Sequence, residues 1–167
     1  MFSLRRLDIY LNDHLAGATA GLELARRAAR ENAGTSLGDF LQQLTQEIAE
    51  DKATLETLMT RLDVDRSPAK PAGAWLLEKL GRLKLNGQLR GYSPLSRLIE
   101  LETLASGVTG KRCLWQALAH TLSGDVRLQE FDFPALIARA ERELVGIDEQ
   151  RRAAASAALL ELEHATR

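Results

Sequence analysis

Four stretches of this chain carry apolar residues at the spacing of a helix, and only one long interval, between the second and the third, separates them. Apolar positions recurring every three or four residues fall on one face of an α-helix, so each stretch is expected to be a helix with one buried side. The intervals then set the topology. Two helices joined by a few residues must run antiparallel, whereas roughly thirty residues can carry the chain back along a bundle and leave the helices they join parallel.

The first helix is expected over residues 4–32, with Leu4, Leu7, Leu11, Leu15, Ala18, Leu22, Ala25 and Ala29 facing inward. Gly34 stands where a C-terminal cap is wanted. Thr35 and Ser36 are N-cap candidates for the next helix, and Asp39 adds a favourable charge to its first turn. The second helix is expected over 37–62, with Leu37, Leu41, Leu44, Ile48, Leu55, Leu58 and Leu62 inward. The interval 63–93 opens on Pro68, Pro71 and Gly73, which stop helices, and holds a short amphipathic stretch at 75–85. Its Leu76, Leu77, Leu80 and Leu83 are expected to pack on the outside of the bundle. Ser93-Pro94 opens the third helix, 94–122, with Leu98, Leu101, Ala105, Val108, Trp115, Leu118 and Leu122 inward. Asp132-Phe133-Pro134 opens the fourth, 133–164, with Leu136, Ile137, Ala140, Leu144, Ile147, Ala155, Leu159 and Leu162 inward.

At 167 residues, 45% apolar and 27% charged, the chain suits a single domain, 1–167, with a sizeable core. No strand-like alternation competes with the helical pattern, so the expected class is all-α. The lone Cys113 excludes an internal disulfide and fits a reducing cytoplasm. No apolar run reads as a signal peptide or membrane span. Arginine outnumbers lysine, as in GC-rich bacterial genomes. Residues 37–65 hold seven acids against two bases, and residues 66–97 seven bases against Glu78. The acidic helix and the basic crossover are expected to lie against each other; a basic surface for an anionic partner is the other reading. Trp75 and Tyr92 bracket Lys79, Arg82, Lys84 and Arg90, but a short helix whose leucines serve packing makes a poor nucleic-acid site, and no nucleic-acid partner is expected.

Segment lengths and connections resemble the ferritin-like superfamily, in which two helical hairpins are joined by one long crossover. The resemblance implies a ferritin-like four-helix bundle whose crossover carries a short extra helix. Di-iron members of that superfamily take a Glu from each of two helices and a Glu-x-x-His from each of the others. This chain has one such motif, Glu161–His164, at its very end, where a terminus frays. The second helix reads Glu47-Ile48-Ala49-Glu50-Asp51 instead. The implied protein therefore lacks the di-iron motifs, and no cofactor is expected. An atypical carboxylate set of Glu23, Glu47, Asp51 and Glu102, with His14 nearby, is the metal-binding alternative.

Some charged residues fall on inward faces. Asp51 interrupts the stripe of the second helix, Arg112 that of the third, and Asp148 and Arg151 lie on or near that of the fourth, with His14 at the edge of the first. Burying one charge alone costs several kcal/mol, so a paired network is expected, led by Asp51–Arg112 with Arg151 in reserve. A polar pocket for a small anion or for proton transfer is the alternative. Gly17, Gly21, Gly107, Gly110 and Gly146 lie near the middles of their helices, where each costs roughly 1 kcal/mol relative to alanine. Close helix packing is the expected compensation, and a cavity for an apolar ligand the alternative. Tyr10, Gly17, Leu24 and Ala28 form a second stripe on the first helix that needs cover from the crossover or from a second subunit.

No Gly-rich phosphate loop, nucleophile elbow or CxxC pair is present, and Cys113 beside Lys111 and Arg112 is a single thiol. The expected protein is a cytoplasmic, non-enzymatic bundle, a homodimer acting through binding or assembly. The alternatives are the atypical metalloprotein and an anion- or lipid-binding module built on the basic crossover.

Overall fold

The computed structural model describes residues 4–66, 92–122 and 124–160. The short helix expected at 75–85, the basic stretch around it, Leu162 and the pair Glu161–His164 lie outside the described residues. Four long helices appear where the apolar periodicity places them: α1 Leu4–Glu31, α2 Ser36–Arg61, α3 Pro94–Leu122 and α4 Phe133–Leu160. A single 3-10 turn, Val126–Leu128, lies between α3 and α4.

Local chemistry fixes the ends. Gly34 takes a positive φ of 79°, which an L-residue with a Cβ adopts only under strain, and so turns the chain out of α1. The Thr35 hydroxyl accepts from the Gly38 N–H at 3.1 Å and caps α2. Ser93 Oγ does the same for α3, accepting from Ser96 N–H, and Asp132 for α4, accepting from Ala135 N–H. Gly38 is required as well. A Cβ there would stand 2.1 Å from the Asn32 carbonyl oxygen, so only glycine lets α2 start this close to the end of α1.

The helices run up, down, down, up. The four-residue turn makes α1 and α2 an antiparallel hairpin. Lys111 with Glu143, and Trp115 with Phe133, make α3 and α4 another. Leu41, Leu44 and Ile48 of α2 share an apolar cluster with Leu98, Leu101 and Leu104 from the start of α3. Leu58, Met59 and Leu62 share the other with Leu118 and Leu122 from its end. Hence α2 and α3 are parallel, as the long interval between them allows. Arg27 of α1 meets Glu100 of α3, and Phe40 of α2 lies against Gly146 of α4, so the second pair of neighbours is antiparallel too.

Two apolar clusters fill the two halves of the bundle. Each fully buried leucine contributes about 1.5–3 kcal/mol before ordering entropy is subtracted, so these clusters carry most of the fold's stability. Leu24 and Ala28 are buried in the cluster shared with α2, α3 and α4, so that part of the second stripe of α1 is covered within the chain. On α4 the buried seam runs through Ala140, Ile147, Ala154 and Ala158, and Leu159 is exposed. The expectation of an inward Leu159 is thus corrected by one position, because the seam repeats at three- and four-residue steps from Phe133.

Candidate functional site

Between the two apolar clusters lies a layer of charge. Asp51 falls between Ile48 and Leu55 on α2, Lys111 between Val108 and Leu114 on α3, and Glu143 between Ala140 and Ile147 on α4. Both carboxylates are buried, at 2% and 3% residual exposure. Lys111 Nζ donates to Asp51 Oδ2 and to Glu143 Oε2, each at 2.5 Å. Arg139 Nη2 approaches Asp51 Oδ1 at 3.1 Å as an ion-pair contact, while its Nη1 donates to the exposed Glu50. Burial pushes the Glu143 carboxyl up to about 7, against the pull of Lys111 and with the carboxylates of Asp51 and Glu47 adding to the rise.

The expected network is therefore corrected in its membership. Asp51 is buried and paired, but with Lys111, not Arg112. Arg112 is half-buried, and its Nε has no hydrogen-bond partner among the described residues. Asp148 and Arg151 pair with each other along α4, with Arg152 joining from the next turn, all of them partly solvent-exposed. Their charges are satisfied within one helix and do not reach Asp51. A readable signal lay in the sequence. The steps Leu101, Leu104, Val108, Trp115, Leu118, Leu122 pass through position 111, and Phe133, Leu136, Ala140, Ile147 pass through 143. A seam drawn through Ala105 and Leu144 is out of phase by one residue and passes by both Lys111 and Glu143.

The remaining helix, α1, contributes space to this layer. At the level where a side chain from α1 would complete it, α1 carries Gly17, Ala18 and Gly21, and α3 facing it carries Gly107 and Gly110. A Cβ added to any of these four glycines would meet nothing within 4 Å. Close packing, the expected use of these glycines, holds only at Gly146, where a Cβ would stand 2.6 Å from the Phe40 ring. The other four border a chamber of 460 Å³ between α1 and α3, with α2 as its floor. Its wall is mostly apolar, including Leu24, Ile48, Leu55, Val108 and Leu114, and Asp51, Lys111 and Trp115 face it from the bundle interior.

His14 lines the chamber mouth and meets Tyr10 edge-on, ring centres 4.6 Å apart. Burial lowers its pKa, opposed by Asp13, so the imidazole is neutral at pH 7. Trp115 is 1% exposed and its indole N–H has no partner among the described residues. A larger recess of 780 Å³ between α2 and α4 is open to solvent and walled by Gln42, Gln43, Gln46 and exposed charges, a solvated groove by comparison.

The alternative metal set is dispersed. Glu23 is exposed and paired with Arg26, Glu102 is exposed, and Glu47 accepts from Gln43. No group of three or more His, Cys, Asp or Glu side chains able to share a metal ion occurs among the described residues. The residues present at the waist do not fit a di-iron centre. Both Asp51 oxygens lie against a cation, Oδ2 against Lys111 and Oδ1 against Arg139, and Glu143 Oε2 lies against Lys111. Positive charge that repels a metal cation thus already stands between the two carboxylates. Glu143 Oε1 has no hydrogen-bond partner among the described residues.

A second polar cluster ties the start of α3 to the end of α1. Buried Asn32 donates to the Tyr92 hydroxyl and accepts from Arg97 Nε, the Tyr92 hydroxyl donates to Glu100, and Arg27 donates to the other Glu100 oxygen. Burial pushes the Tyr92 phenol up to about 12, against the Asn32 hydrogen bond and together with the Glu100 carboxylate. Every member is partnered, and the cluster serves to anchor the chain where it returns from the crossover. Cys113 is exposed. Among the described residues no helix is long and apolar enough to cross a membrane.

Comparison with protein-family models, with curated proteins and with solved structures returns no match to this chain.

Proposed function

We propose that this chain is a non-enzymatic bundle of ferritin-like architecture that works by binding a small molecule in the chamber between α1 and α3. One observation carries the reading: four mid-helix glycines, each unfavourable for helix stability, surround space rather than close contacts. Glycines packed against a neighbouring helix would be explained by packing alone; glycines facing a chamber are explained by the room they leave. A volume of 460 Å³ falls within the roughly 300–1,000 Å³ of small-molecule sites, and mostly apolar walls with a few inward polar groups are their usual make-up. The up-down-down-up order of the helices supports the ferritin-like comparison, and the cations at the waist argue for a member without the metal centre.

The test uses the neutral dye N-phenyl-1-naphthylamine. Saturable fluorescence enhancement at one dye per chain, lost in Gly107→Leu, is the expected result. Enhancement that never saturates, or that is unchanged in Gly107→Leu, overturns the reading. Metal analysis of protein purified without added metal provides the second check, since stoichiometric iron or manganese would restore the metalloprotein alternative.

A further inference from the structure

We propose that the chamber takes a neutral, largely apolar molecule whose polar end is a carbonyl-type hydrogen-bond acceptor placed against Trp115 and Lys111. This inference rests on the reading of the chain as a binding protein and adds the chemistry of the ligand.

The wall sets the first requirement. Leucine, isoleucine and valine side chains alternate with bare glycine backbone, and a ligand polar along its length would lose its hydration there without replacement. The donors set the second. The indole N–H of Trp115 can only donate, it is buried, and it has no partner among the described residues. An unmet buried donor is costly, so a molecule filling this space is favoured when it brings an acceptor. Lys111 lines the same chamber. Two of its three ammonium protons are directed to Asp51 and Glu143, which leaves one for a second lone pair of the same acceptor.

Charge sets the third. Lys111 is shared between two carboxylates, and Lys52, also on the wall, is paired with Glu56. Neither cation is free to compensate an incoming anion, while Asp13 and Asp51 on the same wall would repel one. An incoming cation would have to compete for Asp51 with Lys111 and Arg139, both already in contact with it. A neutral acceptor avoids both costs.

Calorimetric titration with three molecules of one shape separates the possibilities: 2-acetylnaphthalene, 2-ethylnaphthalene and 2-naphthoate. The ketone is expected to bind about tenfold more tightly than the hydrocarbon, the effect of one well-placed hydrogen bond, with the carboxylate weakest. Trp115→Phe is expected to remove most of that preference while leaving hydrocarbon binding in place; if far-UV circular dichroism shows that this variant does not fold, the order of the three on the native chain decides. Equal binding of ketone and hydrocarbon, or tightest binding of the carboxylate, overturns the assignment of ligand class and leaves the chamber itself as a site. Absence of binding by all three overturns the assignment of ligand class, and if dye enhancement is also unchanged in Gly107→Leu the chamber is overturned as a site altogether.

Discussion

Lys111 holds two buried carboxylates with one ammonium, and the three charges come from three different helices. Such an arrangement is weak evidence for stability, because desolvation offsets most of the attraction, yet breaking it by removing one partner is costly. Lys111→Met should therefore destabilise the fold by about 3–5 kcal/mol, read from urea unfolding, since it leaves Asp51 and Glu143 buried near each other. Replacing all three together, Asp51→Leu with Lys111→Met and Glu143→Leu, should cost far less than the sum of the single changes. An additive result would show that the three do not act as a unit.

Glu143 also predicts a pH dependence. Its native pKa is raised from 4.5 to about 7, so between those values the native state binds more protons than the unfolded chain. Its contribution to stability is greatest at and below about pH 4.5 and is lost as pH rises through about 7. His14 acts with the opposite sign: a lowered native pKa means that its contribution is lost as pH falls below about 6.5. The comparison that isolates Glu143 is native protein against Glu143→Gln. Their stability difference should shift steadily in favour of the variant from pH 4.5 to 7, and a constant difference would contradict the raised pKa.

At the scale of the helix, the glycines fall into two kinds, and substitution tells them apart. Gly17→Ala and Gly107→Ala place a methyl group where nothing lies within 4 Å, so each should stabilise by up to about 1 kcal/mol through helix propensity alone. Gly38→Ala should do the reverse, because its Cβ would overlap the Asn32 carbonyl and force α2 away from the end of α1. Thermal unfolding of the three variants measures this directly. Destabilisation by all three would mean that the waist glycines are packed and that the chamber is closed. The Thr35 cap belongs to the same scale: Thr35→Ala should cost about 1 kcal/mol, the usual value for losing one N-cap hydrogen bond.

For the whole molecule, the parallel course of α2 and α3 is the feature that separates this bundle from a simple up-down-up-down arrangement. In a chain with Cys113 replaced by Ser, labels at Thr57 and Thr121 stand at the same end of the bundle. Labels at Thr57 and Leu95 stand at opposite ends, separated by most of the length of a 29-residue helix, about 40 Å. Förster transfer should be clearly higher for the first pair. Equal or reversed efficiencies would require α2 and α3 to be antiparallel.

The apolar periodicity, the capping residues and the lengths of the intervals determined the four helices, nearly to the residue, and the order in which they run, because each of these acts within one helix or one connection. They also marked Asp51 as a buried carboxylate in need of a partner. Which partner it found was not decided locally. Lys111 and Arg112 are adjacent in sequence, and their choice depends on a rotation of α3 by a single residue step of about 100°. That rotation is set by how α3 meets α1, α2 and α4 together. The chamber is of the same kind: glycine at mid-helix states that a side chain is missing, and only the distance between α1 and α3 says whether a neighbour or open space takes its place.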